Sequence, residues 1–119
     1  MAHASQRNAT RSQAWPDTKA YIKFTLPNGN NTQKSFKLSG SVTDIGSCGM
    51  FLQTVNFIPV STNLDITICF DSDANPPNLK IDAQGQVVRS CEEGVGIRFI
   101  SINLERFRKC VIEKINQAN

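Results

Sequence analysis

From residue 20 to residue 99 the apolar side chains keep returning at every second position, and that rhythm leaves few folds open. Ile22, Phe24 and Leu26 share one face, with Tyr21, Lys23 and Thr25 on the other. Phe36, Leu38 and Val42 repeat the pattern, as do Leu64, Ile66, Ile68 and Phe70 against Asp65, Thr67 and Cys69. Leu79, Ile81, Ala83 and Val87 make a further run, and Val95, Ile97 and Phe99 the last. A strand that buries one face and wets the other belongs to an antiparallel sheet. Pro27-Asn28-Gly29-Asn30-Asn31 supplies a hairpin turn, and the last strand is entered through the turn Glu92-Glu93-Gly94. Gly40 and Gly85 interrupt their runs where a sheet would curl. With Met50-Phe51-Leu52 the strands number about six, and a mainly β chain of a small six-stranded antiparallel barrel is expected.

The period changes after Phe99. Leu104, Phe107, Val111 and Ile115 recur at helical spacing, Asn103 can cap the helix start, and Glu105 suits its positive end. That stripe is expected to face one end of the barrel, leaving Arg106, Lys109, Glu113 and Lys114 in water. Residues 71–78, DSDANPPN, suggest a plain solvated loop. Residues 1–19 form an arm. Trp15 is its one bulky apolar side chain and Pro16 follows at once, so the arm has too little surface to order itself. The expected division is an arm over 1–19 and a barrel with its helix over 20–119.

The whole chain is 119 residues, enough for one core. Its net charge of +3 admits an anionic small ligand but falls short of the basic field of a duplex-DNA binder. Phe24, Phe36, Phe70 and Phe99 take the inward parity, so the strands offer single-stranded nucleic acid few stacking platforms beyond Tyr21. No DNA or RNA partner is expected. Nothing reaches membrane-spanning length and the first residues lack a signal peptide's apolar run, which points to a cytoplasmic protein without membrane insertion. Cys48, Cys69, Cys91 and Cys110 are far apart and form no CxxC, and three stand beside apolar residues. Reduced core thiols are expected, and no metal site. His3, the one histidine, lies in the arm. No nucleophile has a basic partner and no phosphate loop leads into a helix, so neither an enzyme nor a bound cofactor is expected.

What remains is the stretch Gly40–Leu52, GSVTDIGSCGMFL. A strand through Ser41–Thr43 breaks over Asp44 to Gly49 and resumes at Met50. Continued parity would drive Asp44 into the core, so the chain must bulge or turn there. Gly46 and Gly49 permit left-handed or crowded backbone and close approach of a ligand. Asp44 offers a carboxylate that only accepts hydrogen bonds. In the arm, Arg7 and Arg11 stand four apart, on one side whether that segment is helical or extended.

Three features, in this order, resemble the PilZ domain family of bacterial cyclic di-GMP receptors. The first is RxxxR, here Arg7-Asn8-Ala9-Thr10-Arg11. The second is (D/N)xSxxG followed by apolar residues, here Asp44-Ile45-Gly46-Ser47-Cys48-Gly49 and then Met50-Phe51-Leu52. The third is the closing GxVxR…GxGIxF pattern, here Gly85-Gln86-Val87-Val88-Arg89 and Gly94-Val95-Gly96-Ile97-Arg98-Phe99. The resemblance implies a PilZ-like barrel whose ligand is cyclic di-GMP. It implies that Arg7, Arg11, Asp44, Gly46, Ser47 and Gly49 line the site, with Arg89 and Arg98 as secondary contacts. One position departs: the family's serine falls on Gly46, and the hydroxyl comes one residue later, at Ser47. The expected output is a change in how the domain engages a protein partner. The alternative is a PilZ-like adaptor that works through protein contacts without the nucleotide.

Overall fold

The computed structural model describes residues 17–74 and 76–118. The arm as far as residue 16 lies outside them, and with it His3, Arg7, Arg11 and Trp15. Six strands follow in chain order: β1 (Lys19–Pro27), β2 (Gln33–Ile45), β3 (Gly49–Gln53), β4 (Asn63–Cys69), β5 (Lys80–Cys91) and β6 (Gly94–Ile102). They close into an antiparallel barrel in the order β1-β2-β3-β6-β5-β4, with β4 returning to pair with β1. Among the described residues one helix, α1 (Leu104–Ala118), follows β6 and sets Phe107 against Phe70 just past the end of β4. The expected fold is the observed one.

Alternation explains the core. Ala20, Ile22 and Phe24 of β1 are buried, as are Leu64, Ile66 and Ile68 of β4 and Val95, Ile97 and Phe99 of β6. Phe36 and Leu38 are only half-buried, although Phe36 stacks on Phe24 with ring centroids 5.3 Å apart. In the β1–β2 turn, Asn30 and Asn31 take left-handed backbone with φ of 49° and 62°, which asparagine tolerates better than most residues.

Two expectations change at the α1 end. Cys69 has outward parity but is buried, because the strand ends there and Phe70, fully buried, turns beneath the helix. Of the four free cysteines, Cys69 and Cys110 are buried, while Cys48 and Cys91 are exposed. Burial pushes both buried thiols above their ordinary value, which keeps them unreactive. The second change is the roll of α1. Phe107, Cys110 and Lys114 face the barrel, whereas Leu104 and Ile115 of the expected stripe are exposed. The cap holds as expected: the Arg106 N–H donates to Asn103 Oδ1 at 3.0 Å. The Arg106 guanidinium then donates to the carbonyls of Asn78 and Lys80, anchoring one flank of the helix to the start of β5. With that flank fixed, Phe107 meets Phe70 at 6.2 Å between centroids, and the Lys114 stem is buried rather than solvated.

The connection after β4 is not a plain loop either. The Asp71 carboxylate accepts from the N–H of Asn78 at 2.8 Å and of Leu79 at 3.0 Å. Partial burial pushes this carboxyl up, but the backbone donors outweigh it and hold the group below its ordinary value of 3.8. A lowered carboxyl stabilises the fold above the ordinary carboxylate range, and that contribution is lost as pH falls through the folded value. Asp71→Ala is therefore expected to cost about 1 to 2 kcal/mol near neutral pH. Urea unfolding at pH 7 and pH 3 checks this, and the difference between parent and variant should shrink at the lower pH.

Candidate functional site

Parity across β2 and β3 builds the site. Val42 is paired with Leu52 but Asp44 with Phe51, so Thr43 is an extra residue and β2 bulges there, as the parity argument required. The bulge turns Asp44 out of the core and leaves it half-buried, and β2 runs on to Ile45, two residues beyond the expected break. Only Gly46, Ser47 and Cys48 form the turn, all exposed. The Gly46 N–H donates to the Gly49 carbonyl at 2.9 Å, and the Phe99 N–H donates to the Cys48 carbonyl at 2.8 Å, so β6 fixes the turn from beneath.

The two glycines have different reasons to be there. At Gly49, which lies opposite Arg98, a Cβ would stand 2.2 Å from the Ile97 carbonyl oxygen. Only a residue without a side chain admits that approach of β3 to β6. At Gly46 a Cβ would meet nothing within 4 Å, and φ lies outside the left-handed region. Gly46 is thus not a backbone necessity.

Asp44, the Gly46–Gly49 turn and Phe51 meet Arg89 and Arg98 around one open concavity of about 560 Å³. Six positions picked out in the sequence (Asp44, Gly46, Ser47, Gly49, Arg89 and Arg98) therefore share one wall system, although they come from three separate segments. Register explains it: Gly49 pairs with Arg98, and Gly96 lies opposite both Phe51 and Arg89. The Arg89 guanidinium carbon sits 5.4 Å from the centre of the Phe51 ring, a cation–π seat that holds the fork at the rim. Arg98 donates to Gln86 Oε1 at 3.2 Å. Phe51 is the residue that motif reading passed over. Its signal was available, since the strand parity that buries Met50 and Leu52 must turn Phe51 outward.

Arg7 and Arg11 lie outside the described residues, but the place where the arm leaves the barrel is defined. The Val42 N–H donates to the Thr18 carbonyl at 2.9 Å, only two residues before Asp44. Six extended residues span roughly 20 Å, so a chain leaving at Asp17 can bring Arg11 to the concavity. A larger hollow of about 810 Å³ lies between Tyr21, Lys37, Asp65 and Asp82. Lys23 pairs with Asp65 across the sheet there and Asp82 lines the same hollow, which suits an anion less well than the two guanidiniums at the smaller site. Among the described residues no group of three or more histidine, cysteine or acidic side chains could hold a metal. No helix there is long and apolar enough to cross a membrane.

Fold and site together define a closed β-barrel with a concavity against a turn on its rim. The chain belongs to the PilZ domain family, whose profile matches residues 5–117. The match covers both the arm's RxxxR and the barrel, and it brings the general cyclic di-GMP-binding or adaptor role of that family. No curated protein and no solved structure matches the chain.

Proposed function

We propose that this domain is a cyclic di-GMP receptor acting in the bacterial cytoplasm, in which Arg7 and Arg11 close over a nucleotide seated on the Asp44–Gly49 turn. The observation that carries this reading is the convergence of Asp44, the glycine turn, Arg89 and Arg98 on one concavity beside the arm's point of departure, in a chain of this family. Each group matches part of the ligand. The Asp44 carboxylate accepts from the guanine N1–H and exocyclic amine. Arginine forks grip phosphate oxygens, or the guanine O6 and N7 edge, in pairs. Gly49 lets the ligand lie close to the main chain. Arg89, seated on Phe51, and Arg98 add positive charge at the far rim. The role is binding rather than catalysis. Closure of the arm would change the surface shown to a protein partner, and regulation of motility, biofilm or pilus assembly is the output proposed.

The observation that favours the second reading, an adaptor without nucleotide, is Gly46 in place of the family's serine. The geometry makes this testable, because the position is open and its backbone unstrained. Gly46→Ser should keep the fold and tighten binding by about 1 kcal/mol, the value of one net hydrogen bond. Ser47→Ala should weaken binding in the parent, and less so in the Gly46→Ser background, if Ser47 supplies the missing donor. Calorimetric titration of the four proteins closes the cycle. Strict additivity would show that Ser47 does not stand in for the missing hydroxyl. Absence of binding in both the parent and Gly46→Ser would favour the adaptor.

A further inference from the structure

The helix α1 carries more apolar surface than its seat uses. Phe107, Cys110 and Lys114 face the barrel, yet Leu104, Ile112 and Ile115 are 40%, 58% and 53% exposed, with Val111 half-buried at the border. Leu104, Val111 and Ile115 follow one another at spacings of seven and four residues, which aligns them along one side of a helix. Ile112 lies beside them, with only Arg108 interrupting. The opposite flank is already engaged through Arg106 and the carbonyls of Asn78 and Lys80. The free flank is a ridge of large aliphatic side chains.

The N-terminal arm arrives beside this helix. The Asp17 carbonyl accepts from the Ser72 N–H at 3.0 Å and also from the Ser72 hydroxyl. Asp73, the next residue, has its carboxyl raised above the ordinary value by the neighbouring Asp17 carboxyl, and the charge of Lys114 on α1 opposes this. Phe70 packs against Phe107 a few residues earlier in the same connection. The segment from Phe70 to Asp73 therefore ties the root of the arm to the helix. Two positions upstream of Asp17 stands Trp15, the only tryptophan in the chain and the bulkiest apolar side chain of residues 1–16. Pro16 biases Trp15 towards extended backbone, and two extended residues span about 7 Å, comparable to the width of a helix.

We propose that Trp15 docks on the Leu104–Val111–Ile115 ridge of α1, pinning the arm of the same chain across the helix. An indole buries a large apolar area at a small cost in conformational entropy, and the ridge gives it aliphatic neighbours on a face that otherwise meets water. The docking does not depend on the nucleotide. Its consequence for the receptor is positional: with Trp15 held, Arg11 is four residues and Arg7 eight residues from a fixed point.

Because Trp15 is the only tryptophan, its fluorescence reports on this contact alone. The intact chain, without nucleotide, should show blue-shifted emission and weak quenching by acrylamide. Ile115→Glu and Leu104→Glu, at positions already open to water, should preserve the far-ultraviolet circular dichroism spectrum. They should also move the emission to that of a solvated indole and raise quenching several-fold. Val55→Glu, at a 98% exposed position in the β3–β4 connection, should change neither property. A solvated indole in the parent, or emission that ignores both ridge variants, would overturn the proposal. So would a dimer in sedimentation equilibrium that Ile115→Glu dissociates while Trp15 emission stays unmoved, since a second copy would then own the ridge. Titrating the same proteins with cyclic di-GMP separates the two ideas: binding without docking would sink only the pinned arm, and docking without binding only the receptor.

Discussion

Arg7→Ala and Arg11→Ala are each expected to weaken cyclic di-GMP binding by about 1.5 to 3 kcal/mol, roughly ten- to a hundredfold, while leaving folding stability within about 0.5 kcal/mol of the parent. The asymmetry follows from where the residues stand. Both precede the barrel, whose described core begins at Thr18 and Ala20, so neither truncation removes a residue of that core. Each removes a charged fork that can bond two oxygens at once, and lysine would not restore it, because an ammonium is a point charge without the planar geometry. Titration calorimetry gives the affinities and urea unfolding the stabilities. Unchanged affinity in both variants would take the arm out of the site. A parallel loss of stability would mean that the arm contributes to the fold instead.

Phe70→Ala is expected to be the most damaging single core substitution, costing about 3 to 5 kcal/mol. Phe70 is fully buried, closes the strand β4, and carries the ring on which Phe107 rests. Removing it leaves a cavity bounded by the barrel end on one side and by α1 on the other. The helix also seats Cys110 and the Lys114 stem against the barrel and is tied to β5 through Arg106, so the loss falls first on the Phe107 seat. A domain of this size is stable by only about 5 to 15 kcal/mol, so the loss should appear as a large drop in the urea midpoint. Phe107→Ala should cost less in the Phe70→Ala background than alone, because the two rings share one contact. Additive costs would show that the two rings do not stabilise the fold through their mutual contact.

The barrel was legible in the sequence because two-fold parity is a local signal that also fixes the global face. Each run from Ile22 to Phe99 could bury only one side, and glycines marked where the sheet bends. The bulge before Asp44 was legible for the same reason, since a carboxylate could not follow Val42 inward. The roll of α1 was not. Leu104, Phe107, Cys110, Val111, Ile112 and Ile115 make an apolar arc wider than one seat. The choice within it depends on the bonds of Arg106 to two carbonyls 26 and 28 residues away in sequence. Asp71 escaped notice for a similar reason: a carboxylate in a polar loop shows its function only when the backbone folds back to meet it. In the site, the motifs marked Asp44, Gly49, Arg89 and Arg98 separately, and only strand register could bring them together. Gly46 and Gly49 looked alike in sequence, but the nearest backbone atom separates them: the Ile97 carbonyl demands glycine at 49, and nothing demands it at 46.

The central claim is that the Asp44 turn and the arm together form a site for a guanine dinucleotide. Calorimetric titration of the intact chain with cyclic di-GMP, set beside cyclic di-AMP, tests it most directly. The two ligands share their phosphates and differ on the base edge that Asp44 is proposed to read. Guanine offers an N1–H and an amine to a carboxylate, and adenine lacks that paired donor set. Saturable binding of cyclic di-GMP, much weaker binding of cyclic di-AMP, and loss of this discrimination in Asp44→Ala are the predicted results. No heat of binding with either ligand, or equal affinity for both that Asp44→Ala leaves unchanged, would contradict the account.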